Sequence, residues 1–163
     1  MKGIIAFDSV NGNTKQVAEA MAEELRTAGL ETELVFLKDG ASSPTGDVLF
    51  IGSPTRGGKM TKGTARFIES LDVEHWKNKP IFVFDTVGPL SKDEAKRKSQ
   101  LEMIGRGGKN AAVKMSDLAT QRGLRVRSPV MHFAVVGMWG PLAPDALTLA
   151  KEAARSALAS VSR

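Results

Sequence analysis

The chain has 163 residues, 42% of them hydrophobic, which supports one globular domain over 1–163 with a real core and is short for two. It has no cysteine and two histidines, His75 and His132. That excludes disulfides, thiolate-held clusters and cysteine nucleophiles, and leaves a histidine-rich metal site short of ligands. The net charge is +5. Gly88 to Arg127 holds ten basic and four acidic side chains, a surplus of six, so the remainder is slightly negative.

Gly3 to Asp8 reads as a short buried strand ending at the acid. Asn13 with Gln16 three residues on has the form of a capping box, and Val17, Met21 and Leu25 make one apolar helical stripe that Gly29 stops. Thr32 to Leu37 alternates, as an edge strand does. Asp47 to Ser53 is a continuous apolar run, the pattern of a strand covered on both faces. A glycine-rich loop, Pro54 to Lys62, leads to a helix over Gly63 to Leu71, and Pro80 to Thr86 is another buried strand. Ser91 with Glu94 predicts a capped, charged helix to about Ile104, broken by the glycines at 105–108. Asn110 to Arg122 is a further helix. Arg125 to Val136 contains a strand, split at Pro129. Pro144 suits a first helical turn, and Leu147, Ala150, Ala154, Leu158 and Val161 stripe a final helix.

Strands alternating with helices predict one parallel sheet with helices on both faces, joined by right-handed crossovers. The expected architecture is a three-layer α/β sandwich whose five strands run in the order 2-1-3-4-5. Ligands of such sheets bind beyond the carboxyl ends of the strands, where the winding reverses. The loops at 9–14, 54–60 and 86–91 therefore carry the candidate site. No run approaches the ~18 apolar residues of a membrane helix. The opening MKGIIAFD has only four apolar residues in a row, so no secretory signal is expected and the location is read as cytoplasmic.

The first loop is Ser9-Val10-Asn11-Gly12-Asn13-Thr14, directly before a helix. A helix start exposes unpaired N–H groups and the positive end of the dipole, which hold a phosphate without any basic side chain. Ser9, Asn11 and Thr14 add short donors, Gly12 lets the backbone curl, and no Lys or Arg lies between residues 3 and 14. The plainer alternative is a capped loop with no ligand. Competing phosphate motifs fail on spacing. Gly108-Lys109 lacks a glycine at position 103, and no G-x-G-x-x-G follows the first strand. A phospho-acceptor receiver needs an aspartate where this chain has Ser53.

The same six residues resemble the FMN-phosphate loop of the flavodoxins, [ST]-x-[ST]-G-x-T, with Asn11 in place of the usual hydroxyl. The resemblance covers essentially the whole chain in element order. It implies a flavodoxin-like fold with FMN as cofactor, phosphate on residues 9–14 and flavin against the second and third loops. In the second loop, Pro54, Thr55, Arg56, Gly57 and Gly58, it implies that Thr55 approaches the ribityl chain or ring. The two glycines would permit a peptide flip that favours one-electron reduction. A flexible lid is the alternative there. In the third, Thr86, Val87, Gly88 and Pro89, it implies backbone N–H groups facing the pyrimidine edge.

Two departures stand out. Flavodoxins commonly stack the flavin on Trp or Tyr, yet the chain has no Tyr and loops 54–60 and 86–91 hold no aromatic. Met60, Leu90 or Trp139 would have to substitute. The plainer reading of Trp139 is a core plug under the final helix. Flavodoxins are also usually acidic, whereas this chain has a pI of about 9.6. Its basic segment reads either as a solvated face or as a docking surface for an acidic redox partner.

The expected function is FMN-dependent electron transfer between partner proteins. The alternatives are an FMN-dependent NAD(P)H or quinone oxidoreductase, with Arg56, Lys59 and Lys92 holding an anionic substrate, and a flavin-free binding module. Nucleic acid is a poor fit, because the basic residues are not interleaved with aromatics. Residues 91–108 read as a helical insertion over the flavin side.

Overall fold

The computed structural model describes residues 1–161, with Asp39 described by its backbone alone; the last two residues of the expected 1–163 unit lie outside the described residues. Five parallel strands form one sheet in the order β2-β1-β3-β4-β5. They are β1 (Lys2–Phe7), β2 (Glu31–Phe36), β3 (Val48–Pro54), β4 (Ile81–Val87) and β5 (Met131–Ala134). The helices are α1 (Asn13–Thr27), α2 (Lys62–Ser70), α3 (Val73–Trp76), α4 (Glu94–Arg106), α5 (Ala111–Gln121) and α6 (Ala146–Val161). The sandwich and strand order expected from the sequence are those observed.

Successive side chains of a strand point to opposite faces, and here each central strand feeds two cores. Ile5, Phe7, Val48, Phe50, Phe82, Phe84 and Phe133 enter the core under α1 and α6. Ile4, Ala6, Leu49, Ile51, Ile81 and Val83 enter the core under α2 and α5. Such two-sided burial is why these strands read as unbroken apolar runs. β2 pairs only with β1 and is partly exposed, which explains its alternation. α6 meets the sheet through Ala146, Ala150, Ala154 and Ala157 and is tied to α1 by Lys151–Glu23 at 3.2 Å and Arg155–Glu24 at 2.8 Å.

The strand split at Pro129 is present: Val126 bridges Ile81 before β5 begins. Two caps differ from expectation. α1 is capped by Gly12 at φ 89°, with no side-chain cap, because Asn13 is itself the first helical residue and its amide reaches across to Trp139 O at 3.2 Å. α4 is capped by Asp93, which accepts from Lys96 N at 2.9 Å, while Ser91 Oγ accepts from Asp93 N at 3.1 Å. A carboxylate two residues closer to the helix displaces the serine. The short α3 had no sequence signal beyond Asp72, its cap.

Two helices lie between β4 and β5. α5 packs on the α2 side through Ala111, Ala112, Met115 and Ala119. α4 lies on the other side, where Leu101 packs against the first core and Arg97 is the buried residue of the helix.

Candidate functional site

Sheet order reverses between β1 and β3, so the loops after β1, β3, β4 and β5 meet at the carboxyl edge. The first loop is built around Asp8 and Ser9. Asp8 accepts from Ser9 N at 2.9 Å and from the hydroxyl of Thr61, the cap of α2. Ser9 Oγ accepts from Gly12 N at 3.1 Å, which folds the loop back on itself. Gly12 occupies the left-handed region, with nothing within 4 Å of where a Cβ would stand. Gln16 N then bonds Gly12 O at 3.1 Å and α1 is under way. The amides of Val10, Asn11, Asn13 and Thr14 have no partner among the described residues. Four unpaired N–H groups at a helix start, with the Ser9 hydroxyl proton beside them, form an anion cradle. That set fits a phosphate monoester.

The Thr14 side chain, unlike its amide, takes a different part from a phosphate donor. It is 1% exposed, and its Oγ1 lies 2.8 Å from Thr86 Oγ1, so the two hydroxyls lock the first loop to the third. In the second loop Arg56 and Lys59 exchange backbone bonds at 2.9 and 3.2 Å around Gly57 and Gly58, at φ 58° and 79°. Two successive positive-φ residues make a tight hairpin turn that glycine fills without strain. Gly57 faces the cleft, whereas Gly58 lies against Lys109. In the third loop Val87 is buried in the sheet, Pro89 has no N–H and Leu90 N is bonded to Val135 O at 2.8 Å. The Gly88 amide is the donor left there.

These loops enclose a cleft of about 350 Å³ lined by Asn11, Asn13, Pro54, Thr55, Arg56, Gly57, Thr86, Gly88, Val135, Met138 and Trp139. That volume is in the range of small-ligand sites. Of the residues the sequence singled out, Ser9, Val10, Gly12 and Thr14 build the adjoining cradle, and Gly58, Val87 and Pro89 stand outside the lining. The last loop was not among those expected. Trp139 is 70% exposed, so it is no core plug. Met60 lines a separate groove and Leu90 packs into the first core.

Beneath the cleft lies a buried polar network. Asp85 is fully buried on β4. Its Oδ2 accepts from Thr55 Oγ1 at 3.0 Å and Ala112 N at 3.1 Å, and its Oδ1 accepts from His132 Nδ1 at 2.7 Å. Thr55 Oγ1 in turn accepts from Ala111 N at 2.9 Å. Three donors and the positive end of α5 offset the desolvation of the carboxylate. The Thr55 hydroxyl is thus held inward. The signal for this network was visible: an acid and a histidine each interrupt an apolar run, at PIFVFDT and MHFA.

The basic segment is less uniform than its sequence. Arg97 is buried and donates to Ser91 O at 3.3 Å and Lys92 O at 3.1 Å. Arg122 donates to Ile68 O at 2.6 Å and Leu71 O at 3.2 Å, capping α2. Arg125 and Arg127 gather with Lys77 and Lys79 at the amino end of β4 and β5, away from the cleft. Beside the cleft, across the 57–58 turn, a groove of about 760 Å³ with Met60, Ala65 and Leu118 in its wall carries Lys59, Lys62, Lys109 and Lys114 against Asp117. None of these five forms an ion pair among the described residues. No group of three or more metal-ligating side chains occurs among the described residues, and none of their helices is long and apolar enough to cross a membrane.

A parallel sheet wound both ways from a switch point, with unpaired amides at the first helix start, places the chain in the doubly wound α/β class. The family model for the flavodoxin domain matches residues 4–133, and the chain belongs to the flavodoxin family. Solved structures share the fold at low identity. A flavodoxin from the domain Archaea superposes with a TM-score of 0.72 at 19% identity, covering 100% of both chains. A mutant flavodoxin from Pseudomonas aeruginosa gives 0.69 at 17%, again over 100% of both. Rubredoxin oxygen:oxidoreductase from Desulfovibrio gigas gives 0.72 at 18%, with 99% of this chain covering 36% of that one.

Proposed function

We propose that the chain binds FMN and carries electrons between redox proteins. The observation that carries this reading is the set of unpaired amides of Val10, Asn11, Asn13 and Thr14 around Gly12. They suit a dianionic phosphate ester held by neutral donors. Bound FMN supplies reversible uptake of one or two electrons. The chain's own residues do the rest. Residues 9–14 hold the phosphate, chiefly through their backbone amides. Thr14 and Thr86 fix the first loop to the third, and Thr55, on Asp85 and Ala111, fixes the second loop to β4 and α5. Gly57 and the Gly88 amide border the ring position. The free cations Arg56, Lys59, Lys109 and Lys114 favour a partner with an acidic surface. Residues 91–108 form a helical insertion that adds exposed Lys92, Lys96, Lys98 and Arg106.

A second reading is supported by the groove beside the cleft. Its lysines suit the phosphates of a nicotinamide nucleotide and its apolar wall suits a neutral quinone, the substrates of an FMN-dependent NAD(P)H or quinone oxidoreductase. Stepwise reduction of the flavin-loaded protein separates the two. A species reduced by one electron that accumulates midway supports the carrier. Direct passage to the two-electron form supports the oxidoreductase. Failure to retain flavin leaves a flavin-free module.

A further inference from the structure

We infer that Trp139, delivered by the hairpin after β5, is the residue that stacks on the flavin ring. This rests on the FMN reading above. The second and third loops offer no aromatic side chain, and the chain has no Tyr. Its two tryptophans stand in opposite settings. Trp76 is fully buried, with Nε1 donating to Pro44 O at 3.0 Å. Trp139 is 70% exposed, its neighbour Met138 69%, and both line the cleft. No hydrogen bond or ring contact engages the Trp139 indole among the described residues. Leaving an indole and a thioether in water forgoes their burial unless a ligand covers them.

The hairpin that carries them is held in place. Val136 N bonds Pro141 O at 2.9 Å, and Val135 bridges Leu142. Inside that clasp Gly137 and Gly140 pack so closely that a Cβ on Gly137 would stand 1.9 Å from Gly140 O. The Asn13 amide bonds Trp139 O at 3.2 Å, which fixes the backbone of Trp139 to the first turn of α1, directly beside the phosphate cradle. Val135 also accepts from Leu90 N, so the hairpin and the third loop form one wall. A ring stacked on Trp139 and a phosphate in the cradle are therefore served by two sites joined through Asn13. Ordering cost is small, because the platform is already tethered.

The test compares FMN and riboflavin binding in the wild type, Trp139→Ala and Trp139→Phe by equilibrium dialysis and by the fluorescence of the bound flavin. Trp139 is exposed, so substitution leaves both cores intact. Trp139→Ala should weaken FMN and riboflavin by the same factor, about tenfold or more, because the loss is to the ring. Bound flavin, quenched in the wild type, should regain fluorescence, since no other electron-rich ring reaches the cleft. Trp139→Phe should recover most of the affinity. Unchanged affinity and quenching in Trp139→Ala, with the wild type still binding FMN, would overturn the stacking role and leave the FMN reading standing. A loss confined to FMN would also overturn it, placing the effect on the phosphate side through Asn13. A wild type that retains neither flavin would overturn both.

Discussion

Gly12 and Asp85 are single residues on which the site turns. Gly12 stands at φ 89° in open space, so a larger residue meets backbone strain and no clash. Gly12→Ala should cost about 1–2 kcal/mol in that conformation. If the cradle holds phosphate, the variant loses affinity for FMN while riboflavin is little changed, which parallel titrations with the two flavins would show. Asp85 is a buried carboxylate met by three donors. Asp85→Ala leaves the Thr55 hydroxyl, the Ala112 amide and His132 without their acceptor, and should destabilise the protein by about 3–5 kcal/mol. Urea unfolding gives that number directly, and a loss below about 1 kcal/mol would contradict the network. The residue scale is also where the sequence misled most. Asn13 has the identity of a cap, but left-handed Gly12 takes that position and frees the Asn13 side chain for Trp139. Trp139 carried two readings, a core plug and a substitute for the missing flavin-stacking aromatic. Its exposure removes the first, and nothing in GMWG announces that a hairpin holds it out to solvent.

Helix ends and loop joints decide how the elements meet. Asn110 is fully buried, caps α5 by accepting from Val113 N at 2.8 Å, and donates to Ile104 O at 3.1 Å and Gly107 O at 3.3 Å. It therefore joins α4 to α5 as well as starting α5. Asn110→Ala should cost about 2 kcal/mol, and amide exchange should quicken along α4 as well as at the start of α5. Removing α4 outright is a poor experiment, because Leu101 covers the first core and Arg97 is buried. Charge reversal at exposed Lys96 and Lys98 is the cleaner change. It should leave flavin affinity intact and slow electron exchange with an acidic partner, whereas equal rates would remove α4 from the docking surface. The strands were legible because two-sided burial writes itself as apolar runs, and the edge strand because it alternates. α3 was not, since its four residues are too few for a helical period.

Across the whole molecule, alternation and crossover hand predicted a parallel sheet covered on both faces, but several doubly wound orders satisfy both. The order 2-1-3-4-5, with its switch point, was the flavodoxin-like choice among them, and the sheet follows it. Surface charge did not follow in the same way. Neighbours in sequence are not neighbours in space: Arg97 and Arg122 turn inward, and Arg125 and Arg127 sit at the far end of the sheet. What remains near the cleft is a smaller set, Arg56, Lys59, Lys62, Lys109 and Lys114 around the 57–58 turn. Exposed charges are screened over about 8–10 Å at physiological salt. Electron exchange with an acidic partner should therefore slow as ionic strength rises, and a rate indifferent to salt would argue for apolar docking instead.

The most direct test of the account is the affinity of the purified protein for FMN against riboflavin, measured by equilibrium dialysis at micromolar protein. The cradle at residues 9–14 predicts that FMN is retained and binds at least about a hundredfold more tightly than riboflavin, the worth of two charge-assisted bonds to the phosphate. Equal affinity for the two flavins, or retention of neither, would contradict it.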